Sequence, residues 1–380
     1  MSKVLYLVSH PIQYQSPLIK LFSRILKNRL EVIYLSDFSL GNFYESDFSS
    51  KIKWDIDLLG KHKYTILNKD QKSEYRYFKP FINYRFILRL FREKPDFLML
   101  HGWANINFLI TMIFSKLIGV KVLVRCENYV KSNNTYISLF KYIYYKFILF
   151  FPSYYLYIGN SNKKFYEKYG WNRKYVPFKY SVDNKYLKVQ AKKKIDDKFI
   201  KNIKKNKINF YFVGKLIKRK NPIIILKAIN LIKNDFLDCN FYFIGDGNEK
   251  EKLKNFENEY RLKNIYHLGF QNTSEIPKII NLFDILICPS IEENWGLVVN
   301  ESLALGKKVI VSSAVKSSED LINNKNGKIF ENDNVNELSN CMLEIINSYK
   351  RDNIDEILKI NESYSFKSNI RNIINLDQNG

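Results

Sequence analysis

Cysteine, glycine and proline are scarce in this 380-residue sequence, and each shortage excludes a class of protein. The four cysteines, Cys126, Cys239, Cys288 and Cys341, lie far apart and form no C-x-x-C pair, which excludes a disulfide framework and a zinc knuckle. With 14 glycines, 9 prolines and 46% hydrophobic residues, the chain is neither disordered nor fibrous and can bury two cores. The unpaired cysteines predict a reducing, cytoplasmic location.

Acidic residues are also in short supply, with 38 Asp and Glu against 61 Lys and Arg, so that the formal net charge is +23. This charge predicts attraction to an anionic surface, which can be lipid, nucleic acid or a phosphorylated substrate. Lys, Asn, Ile and Tyr are abundant along the whole chain, so an ordinary solvated basic surface is an equally direct interpretation. Charge alone leaves the choice open.

The sequence contains no uninterrupted apolar run of the length that crosses a bilayer. Residues 1–8 read as a first strand, because they lack the apolar core and cleavage site of a signal peptide. The most apolar stretch, residues 139–158, is interrupted by Lys141, Lys146 and Pro152. No spanning helix and no export are therefore predicted.

Two short patterns imitate motifs of other protein classes. The aromatic side chains between Tyr142 and Tyr157 could stack on single-stranded nucleic acid, but their apolar spacing favours a place in the core. Asp55 and Asp57 have the appearance of a metal-binding D-x-D motif, yet the neighbouring Trp54 and leucines indicate a partly buried turn. No metal site is predicted.

Short apolar runs alternate with longer amphipathic segments through both halves of the chain. Such runs, apolar on both faces, are typical of parallel strands covered by helices, so each half is predicted to be a doubly wound α/β domain. The predicted strands are residues 4–9, 30–36, 97–101, 120–126, 154–159, 208–213, 241–245, 265–268, 285–289 and 308–312.

A basic, poorly apolar stretch at residues 185–207 suits a linker between the two halves. We therefore expect an N-terminal Rossmann-like domain at residues 1–187 and a C-terminal one at residues 188–353. Residues 354–380 lie beyond the second sheet and are expected to pack back on the first domain as a helical segment.

The segment from Ile287 to Gly306 carries most of the chemical information. A buried strand ends there, an acidic loop follows, and a helix opens near Gly296, where free N–H groups can meet a phosphate and glycine permits close approach. Glu293 precedes the helix and Glu301 lies in its second turn, so both carboxylates can reach the hydroxyls of one sugar nucleotide. A solvated acidic loop and a carboxylate favoured by the helix dipole are the alternatives.

Two lysines, Lys215 and Lys220, follow the first strand of the second half. Cations at this spacing can clamp a diphosphate through charge-assisted hydrogen bonds. Because lysine is abundant throughout the chain, an ordinary basic turn is the alternative interpretation.

Read in order, these motifs resemble the C-terminal half of glycosyltransferase family 4 over residues 208–345. The resemblance implies a retaining enzyme of the GT-B fold, with two Rossmann-like domains facing across a cleft and no divalent metal. The motifs that carry it are Gly-Lys215-Leu-x-x-x-Lys220, Phe243-Ile-Gly-Asp-Gly247, Ile265-Tyr-His-Leu-Gly-Phe270, Glu293-x7-Glu301, Gly306-Lys-Lys-Val-Ile and Asn326-Gly327.

The resemblance also assigns roles on the donor side. It implies that Lys215 and Lys220 contact the diphosphate, that Glu293 lies beside the transferred sugar, and that Glu301 binds the ribose. The helix-start backbone of Gly296, Leu297 and Val298 would meet the phosphates, and the loop containing Phe270 and Asn272 would border the base.

Two positions depart from the pattern of the family. Lys215 stands where Arg is usual, which keeps a phosphate-binding charge without the bidentate fork. Asn221 stands where Gly is frequent, at a turn.

The first half supplies the candidates for the acceptor side. The motif Ser9-His-Pro-Ile-Gln-Tyr14 resembles a subset of the family found among bacterial surface-polysaccharide enzymes. It places His10 after the first strand as a cleft residue, which we count among the donor-binding candidates; a capped turn is the alternative. His101 and Glu127 end or follow two further strands and are candidates for orienting or deprotonating an acceptor hydroxyl.

The sequence interpretation is therefore a metal-independent, retaining hexosyl-type glycosyltransferase without a cofactor other than its nucleotide-diphosphate sugar donor. The implied acceptor is a glycan or lipid-linked glycan of surface polysaccharide synthesis, such as capsule or O-antigen. Peripheral association with the anionic inner face of the membrane is expected, and nucleic acid is not. The alternatives are a GT-B phosphorylase, an NDP-sugar epimerase, a donor-binding subunit without catalysis, and a basic nucleic-acid-binding protein.

Overall fold

Two parallel β-sheets account for the apolar runs of the sequence, one sheet in each of two units. The computed structural model describes residues 2–45, 50–52, 54–69, 83–103, 105–130, 139–195, 207–348, 357–358 and 363–378. The first unit contains residues 1–44, 51–180 and 366–380, and the second contains residues 45–50 and 181–365. The interpretation from sequence placed these divisions at 187/188 and 353/354.

The sheet of the first unit has seven strands, and its described pairings are all parallel. Its strands are β1 (Val4–Val8), β2 (Leu30–Ser36), β5 (Tyr64–Asn68), β6 (Phe97–His101), β7 (Lys121–Arg125), β8 (Tyr154–Tyr157) and β9 (Lys174–Pro177); two short strands, β3 (Phe43–Glu45) and β4 (Ser50–Ile52), lie outside it. The strand order is β5-β2-β1-β6-β7-β8-β9.

Helices cover both faces of this first sheet, which is why its central strands are buried throughout. The helices are α1 (Ser16–Leu26), α2 (Tyr84–Glu93), α3 (Ile106–Leu117), α4 (Leu139–Ile148) and α5 (Asn160–Tyr169), with the helix Phe366–Gln378, numbered α13 in chain order. Leu5 and Leu7 face a core shared with α2, α3 and α5, whereas Tyr6 faces a second core that contains Phe22 of α1 and Ile370 of α13.

The sheet of the second unit has six parallel strands in the order β12-β11-β10-β13-β14-β15. The strands are β10 (Ile208–Val213), β11 (Cys239–Ile244), β12 (Ile265–Gly269), β13 (Ile285–Cys288), β14 (Lys308–Ser312) and β15 (Gly327–Phe330). The helices are α6 (Asn184–Ala191), α7 (Ile223–Leu231), α8 (Lys250–Glu259), α9 (Ile276–Asn281), α10 (Leu297–Ala304), α11 (Ser318–Leu321) and α12 (Val335–Ser348).

The predicted α/β class is confirmed, and the strands at 30–36, 97–101, 208–213 and 308–312 begin and end where the sequence places them. The linker prediction is wrong at its start, because residues 184–191 form α6, whose Leu187 packs against Ala304 of α10. Residues 196–206 of that stretch lie outside the described residues.

The structure describes both the D-x-D pattern at Asp55 and Asp57 and the aromatic run from Tyr142 to Tyr157. Asp55 and Asp57 are exposed in a turn, where Asp57 accepts hydrogen bonds from the N–H groups of Leu59 and Gly60. The core prediction for the aromatic run holds for Tyr155, which is fully buried, but it is wrong for the outer face of α4, where Phe147 is 55% exposed. Among the helices described, none has the length and apolarity to cross a membrane.

Candidate functional site

The strand order of the second unit reverses between β10 and β13, so the loops after these two strands leave in opposite directions. In open α/β sheets a ligand binds outside the carboxyl ends of the strands at such a reversal. The loop after β10 contains Lys215 and Lys220, and the loop after β13 contains Glu293. The topology therefore brings three of the predicted donor residues to one end of the sheet.

An ion pair joins these two loops. Lys220 ends a 3₁₀ turn, and its ammonium group contacts Oε2 of Glu293. Arg219 Nη1 lies 3.9 Å from the same oxygen and donates to the carbonyl oxygen of Glu292 at 3.3 Å. The N–H of Ile291 donates in turn to the carbonyl oxygen of Arg219 at 3.0 Å. The carboxylate of Glu293 is thus held by cations from the opposite loop.

Asn221 lies at a turn whose backbone conformation few residue types adopt. Its φ is +50°, in the left-handed region, where Asn is one of the few non-glycine residues that occur. The side-chain Nδ2 donates to Oδ1 of Asp333 at 2.9 Å, which anchors the turn that carries Lys220. The residue type itself therefore accommodates the left-handed backbone at this turn.

Close backbone packing fixes the segment around Lys215. The N–H of Leu216 donates to the carbonyl oxygen of Asp246 at 2.8 Å, and the N–H of Glu249 donates back to the carbonyl oxygen of Leu216 at 2.9 Å. A Cβ at Gly245 would collide with the carbonyl oxygen of Gly214. Glycine is required here because two backbones meet directly beside Lys215.

Gly296 begins the helix that follows β13. Its φ is +86°, and a Cβ added there would lie 3.0 Å from Cγ1 of Val315 and 3.5 Å from Cγ of Glu293. The N–H groups of the next residues, Leu297 and Val298, open α10 and have no partner within the helix. The start of α10 therefore offers backbone N–H groups that could bind an anion beside the Lys220–Glu293 ion pair.

Buried polar contacts hold α10 and the loop before it in place. Trp295 Nε1 donates to Oδ1 of Asn300 at 2.7 Å, and the hydroxyl of Tyr211 on β10 donates to Oγ of Ser302 at 2.7 Å. The N–H of Lys316 donates to the carbonyl oxygen of Glu293 at 3.1 Å. Trp295 and Asn300 were not identified from the sequence, although both lie inside the Glu293-x7-Glu301 motif.

Glu301 differs from Glu293 because, within the part of the chain that the structure describes, no hydrogen bond or ion pair reaches its carboxylate. The side chain lies half-buried on α10, and burial raises the pKa of its carboxyl to about 7. An unpaired carboxylate in such a place gains by accepting hydrogen bonds from a ligand. A pair of neighbouring hydroxyls is the ligand group that suits it.

The loop after β12 supplies the remaining donor candidates. Phe270 is 37% exposed, and Asn272 is exposed at the next turn of the loop. Gly269, with φ of +67°, allows the chain to turn between β12 and these two residues. A flat aromatic side chain at this position can stack on a base.

The sheet of the first unit reverses its order between β1 and β6, and the acceptor candidates lie at that reversal. Gln15 Nε2 lies 2.7 Å from Nδ1 of His101, and Nη1 of Arg125 lies 3.3 Å from the same nitrogen. Because Arg can only donate, Nδ1 accepts and the proton of His101 sits on Nε2, which is 3.5 Å from Oε1 of Glu127. Burial and the Arg125 charge lower the pKa of His101.

Glu127 is ionised and surrounded by donors. The hydroxyl of Tyr180 donates to its Oε1, and the guanidinium of Arg125 lies 4.3 Å from the centre of the Tyr180 ring. Burial alone would raise the pKa of Glu127, but His101, Arg125 and Tyr180 outweigh it and lower the pKa to about 2. So strongly stabilised a carboxylate is suited to orienting a hydroxyl rather than to deprotonating one.

His10 lies in the loop after β1. Its Nδ1 is 3.0 Å from Oγ of Ser9, and its ring packs edge-on against Phe38 at 5.3 Å. Burial, with the nearby His101, lowers the pKa of His10 to about 4, so the ring is neutral at pH 7. A neutral imidazole can donate or accept a hydrogen bond but carries no charge for a phosphate.

Sequence reasoning assigned no role to Gln15, Arg125 and Tyr180. Gln15 lies in the motif that follows β1, and Arg125 ends a strand, so both carried a positional signal. Tyr180 carried none, because its contact with Glu127 joins positions 53 residues apart. Over the described ranges, no group of three or more His, Cys, Asp or Glu side chains lies close enough together to hold a metal ion.

Comparison with known proteins relates this geometry to one family. Residues 193–359 match the family model described as glycosyl transferases group 1. The chain is 33% identical over 132 residues to an uncharacterized glycosyltransferase of Methanocaldococcus jannaschii, covering 35% of this chain and 36% of that protein. It is 28% identical over 136 residues to the UDP-Gal:alpha-D-GlcNAc-diphosphoundecaprenol alpha-1,3-galactosyltransferase of Escherichia coli, covering 34% of each.

The matched segment thus spans about a third of the length of these curated relatives. Over its whole length the chain resembles the crystal structure of Anabaena HepE in complex with UDP, with a TM-score of 0.70, 14% identity and full coverage of both chains. This likeness establishes the GT-B fold, which the sequence resemblance implied.

Proposed function

We propose, because residues 193–359 form a domain of the glycosyl transferases group 1 family, that this chain transfers a glycosyl group from a nucleotide-diphosphate sugar to a hydroxyl. The observation that carries the proposal is the contrast between two carboxylates of one motif. Glu293 is paired with Lys220, whereas Glu301 is half-buried and unpaired among the described residues. The first arrangement suits a reacting centre, and the second suits a hydroxyl-bearing ligand.

The donor would bind at the end of the second sheet. Lys215, Lys220 and the N–H groups that open α10 would bind the diphosphate, and Glu301 would accept hydrogen bonds from the ribose hydroxyls. Phe270 and Asn272 would border the base. In support, the Anabaena structure contains UDP, and the name of the E. coli relative specifies UDP-galactose.

Bond cleavage at the anomeric carbon leaves negative charge on the diphosphate. Lys220, Lys215 and the start of α10 would stabilise that charge in a prearranged site, which is commonly the largest contribution to catalysis. Because the Lys220 ammonium is paired with Glu293, arrival of the diphosphate would release part of that pairing and leave the carboxylate facing the sugar. We propose that transfer proceeds with retention at the anomeric carbon.

The acceptor would be a glycan or lipid-linked glycan of surface polysaccharide synthesis. The name of the E. coli relative, which specifies GlcNAc-diphosphoundecaprenol, supports the lipid-linked form. In the first unit, Nε2–H of His101 and the ionised Glu127 would orient its hydroxyl, with His10 nearby as a neutral hydrogen-bonding group. We further propose that the protein associates peripherally with the anionic inner face of the membrane, supported by its net charge of +23.

A panel of nucleotides tests the proposal. Thermal unfolding of the full chain is measured with UDP, GDP, ADP and their sugars, since a ligand at about 100 times its Kd adds ~2.7 kcal/mol of apparent stability. The stabilising sugar nucleotide is then incubated with glycan acceptors, and the anomeric configuration of the product is read by NMR. Stabilisation by nucleic acid alone, with no sugar nucleotide bound or consumed, would contradict the proposal.

The donor site also predicts that transfer needs no divalent metal, because the lysines and the helix start supply the positive charge. Activity with the preferred donor should be the same, within about twofold, in EDTA and in Mg²⁺ or Mn²⁺. A complete loss in EDTA that metal restores would reject this prediction. Sugar epimerisation or phosphorolysis in the same assay would instead favour one of the alternative GT-B activities.

A further inference from the structure

Helix α4 presents apolar side chains to solvent on the face turned away from the core. We define the α4 face as Leu139, Phe140, Ile143, Tyr144 and Phe147, whose exposed fractions are 73%, 86%, 57%, 48% and 55%. The helix is held by other residues: Ile148 is buried, and the ring centroid of Tyr145 lies 5.0 Å from that of Phe165 and 5.1 Å from that of Tyr169. Among the exposed residues, Phe147 also meets the ring of Phe151 at 5.2 Å, yet more than half of its side chain stays exposed. Packing against the core therefore does not account for the apolar character of the whole face.

The spacing of these residues makes the face continuous. Leu139, Ile143 and Phe147 follow each other at intervals of four, as do Phe140 and Tyr144, so all five share one side of the helix. A surface helix of a globular protein ordinarily carries charged and polar residues on that side. Single exposed apolar residues need no explanation, but a contiguous apolar face marks an interaction site.

Aromatic and basic groups extend this surface along the chain. Phe150 is 43% exposed and Trp171 is 45% exposed, and their rings lie 5.6 Å apart. The ammonium group of Lys116 lies 5.2 Å from the centre of the Phe150 ring, and that of Lys146 lies 5.4 Å from the centre of the Trp171 ring. Exposed rings and cations thus alternate next to the α4 face.

The region carries a strongly positive net charge. Residues 139–175 contain seven Lys or Arg and a single acidic residue, Glu167, which lies 3.4 Å from Lys163 in an ion pair. Aromatic side chains concentrate at the headgroup level of membranes, and basic residues beside them are attracted to anionic lipid. The combination complements the surface of an anionic bilayer in both its apolar and its charged layer.

We propose that the α4 face inserts into the interfacial region of an anionic bilayer, with the neighbouring lysines bound to lipid headgroups. Ten residues of helix extend ~15 Å, about half of the hydrocarbon thickness, so α4 lies in the interface and does not cross it. The inference rests on the proposed membrane association and is independent of the proposed sugar transfer. Purely electrostatic binding would be lost at high salt, whereas an inserted apolar face keeps part of its affinity for the bilayer when the charges are screened.

Co-sedimentation of the full chain with vesicles of phosphatidylglycerol and phosphatidylcholine tests the proposal. The combined variant F140S, I143S and F147S should lose about tenfold or more of its vesicle affinity at high salt. A matched variant, V189S with L231S and L237S, removes exposed apolar groups of the second unit and should bind vesicles as the unchanged protein does. Binding to pure phosphatidylcholine should be weaker for all three proteins.

A fluorescent reporter gives a direct measure of insertion. The four native cysteines are buried, so Phe140→Cys introduces an accessible thiol for an environment-sensitive dye. Anionic vesicles should shift the emission of this dye to shorter wavelength. The same dye on Leu237→Cys, an exposed position of the second unit, should show no shift.

The outcomes separate the inference from the proposals beneath it. If the serine variant binds vesicles as well as the unchanged protein does and the dye shows no shift, insertion of the α4 face into the bilayer is overturned. The proposed membrane association then still stands. An unchanged protein that transfers sugar but binds no vesicle would overturn both membrane proposals and leave the enzymatic one intact. If the serine variant altered only the oligomeric state, seen by light scattering, the face would be a protein interface and the inference wrong. Far-UV circular dichroism and cooperative thermal unfolding verify that each variant is folded.

Discussion

At the scale of single residues, Glu301 is the clearest case of a side chain that destabilises the fold and is suited to binding a ligand. Its carboxyl has a pKa near 7 because burial disfavours the charged form, and no described residue compensates it. Above pH 7 the folded protein therefore holds an ionised, half-buried carboxylate. In the proposed complex, the two ribose hydroxyls of the donor would supply the missing hydrogen bonds.

Replacement by Glu301→Gln should consequently have opposite effects on stability and on donor binding. Below about pH 4.5 both folded and unfolded carboxyls are protonated, so the variant and the unchanged protein should unfold alike. Between about pH 4.5 and pH 7 the unfolded carboxyl loses its proton while the folded one keeps it, so the unchanged protein loses stability across this range. The variant should therefore be more stable by about 1–3 kcal/mol at pH 8. Thermal unfolding at pH 4.5 and pH 8 measures this, and a variant less stable at pH 8 would contradict the assignment.

The same substitution should raise the donor KM by about tenfold with little change in kcat, because hydrogen bonds to the ribose are the same in the ground and transition states. Steady-state kinetics at fixed acceptor measures both constants. A fall in kcat with an unchanged KM would move Glu301 to the reacting centre.

Glu293→Gln should act on the other constant. Since this carboxylate is paired with Lys220 and would face the reacting sugar, its neutralisation should lower kcat by about 100-fold and leave KM nearly unchanged. The adjacent Glu292, which is exposed, is the matched control, and Glu292→Gln should be close to neutral. Equal damage by both substitutions would shift the register of the motif by one residue.

At the scale of secondary-structure elements, the start of α10 depends on one backbone conformation. Gly296→Ala adds a Cβ 3.0 Å from Val315 at a φ of +86°, so we expect a loss of about 1–3 kcal/mol and a clear loss of donor affinity. Gly119→Ala, at φ of +82° with no atom within 4 Å of the added Cβ, separates the two causes. It should cost about 1 kcal/mol and leave donor binding intact, as measured by denaturant unfolding and nucleotide titration. Unchanged donor binding in Gly296→Ala would contradict the anion role of this helix start.

Elements with long apolar runs were predictable, and half-exposed ones were not. β2 and β10 are buried through nearly all their residues and were found at their bounds. The edge strand β5 has no fully buried position and the edge strand β15 mixes exposed and buried ones, and both were missed. The same limit explains α4: an apolar sequence does not reveal whether its side chains face a core or solvent. The packing of Tyr145 against α5 and the burial of Ile148 show which side is inward.

Part of the candidate site was likewise predictable from the sequence, and part was not. The loops of Lys220 and Glu293 follow predicted strands, so sheet topology alone brings them together. The cluster of Gln15, His101 and Tyr180 draws on three distant segments, and no local pattern records its contacts. The pKa of Glu301 near 7 likewise depends on tertiary burial and has no signature in the sequence.

At the scale of the whole molecule, the first unit is completed by a helix that follows the second in sequence. Ile370 and Ile373 of α13 are buried in its core, and Asn369 Nδ2 donates to the carbonyl oxygen of Lys179 at 2.7 Å. Ile370→Ala should therefore destabilise the first unit by about 2–5 kcal/mol while the nucleotide still stabilises the second. Thermal unfolding with and without donor measures both effects, and Leu231→Ala, at an exposed position, is the neutral control. Loss of nucleotide binding in a folded Ile370→Ala would contradict the placement of the donor site.

This order of segments has a consequence during synthesis on the ribosome. Proteins ordinarily fold domain by domain as they emerge, N-terminal part first. Here the groove that receives Ile370 and Ile373 is made early, from β9 and α1, but its occupant is translated only after residues 181–365. At about 5–20 residues per second this delay lasts roughly 10 to 40 s, during which the nascent first unit carries an open apolar groove and is a natural client for chaperones.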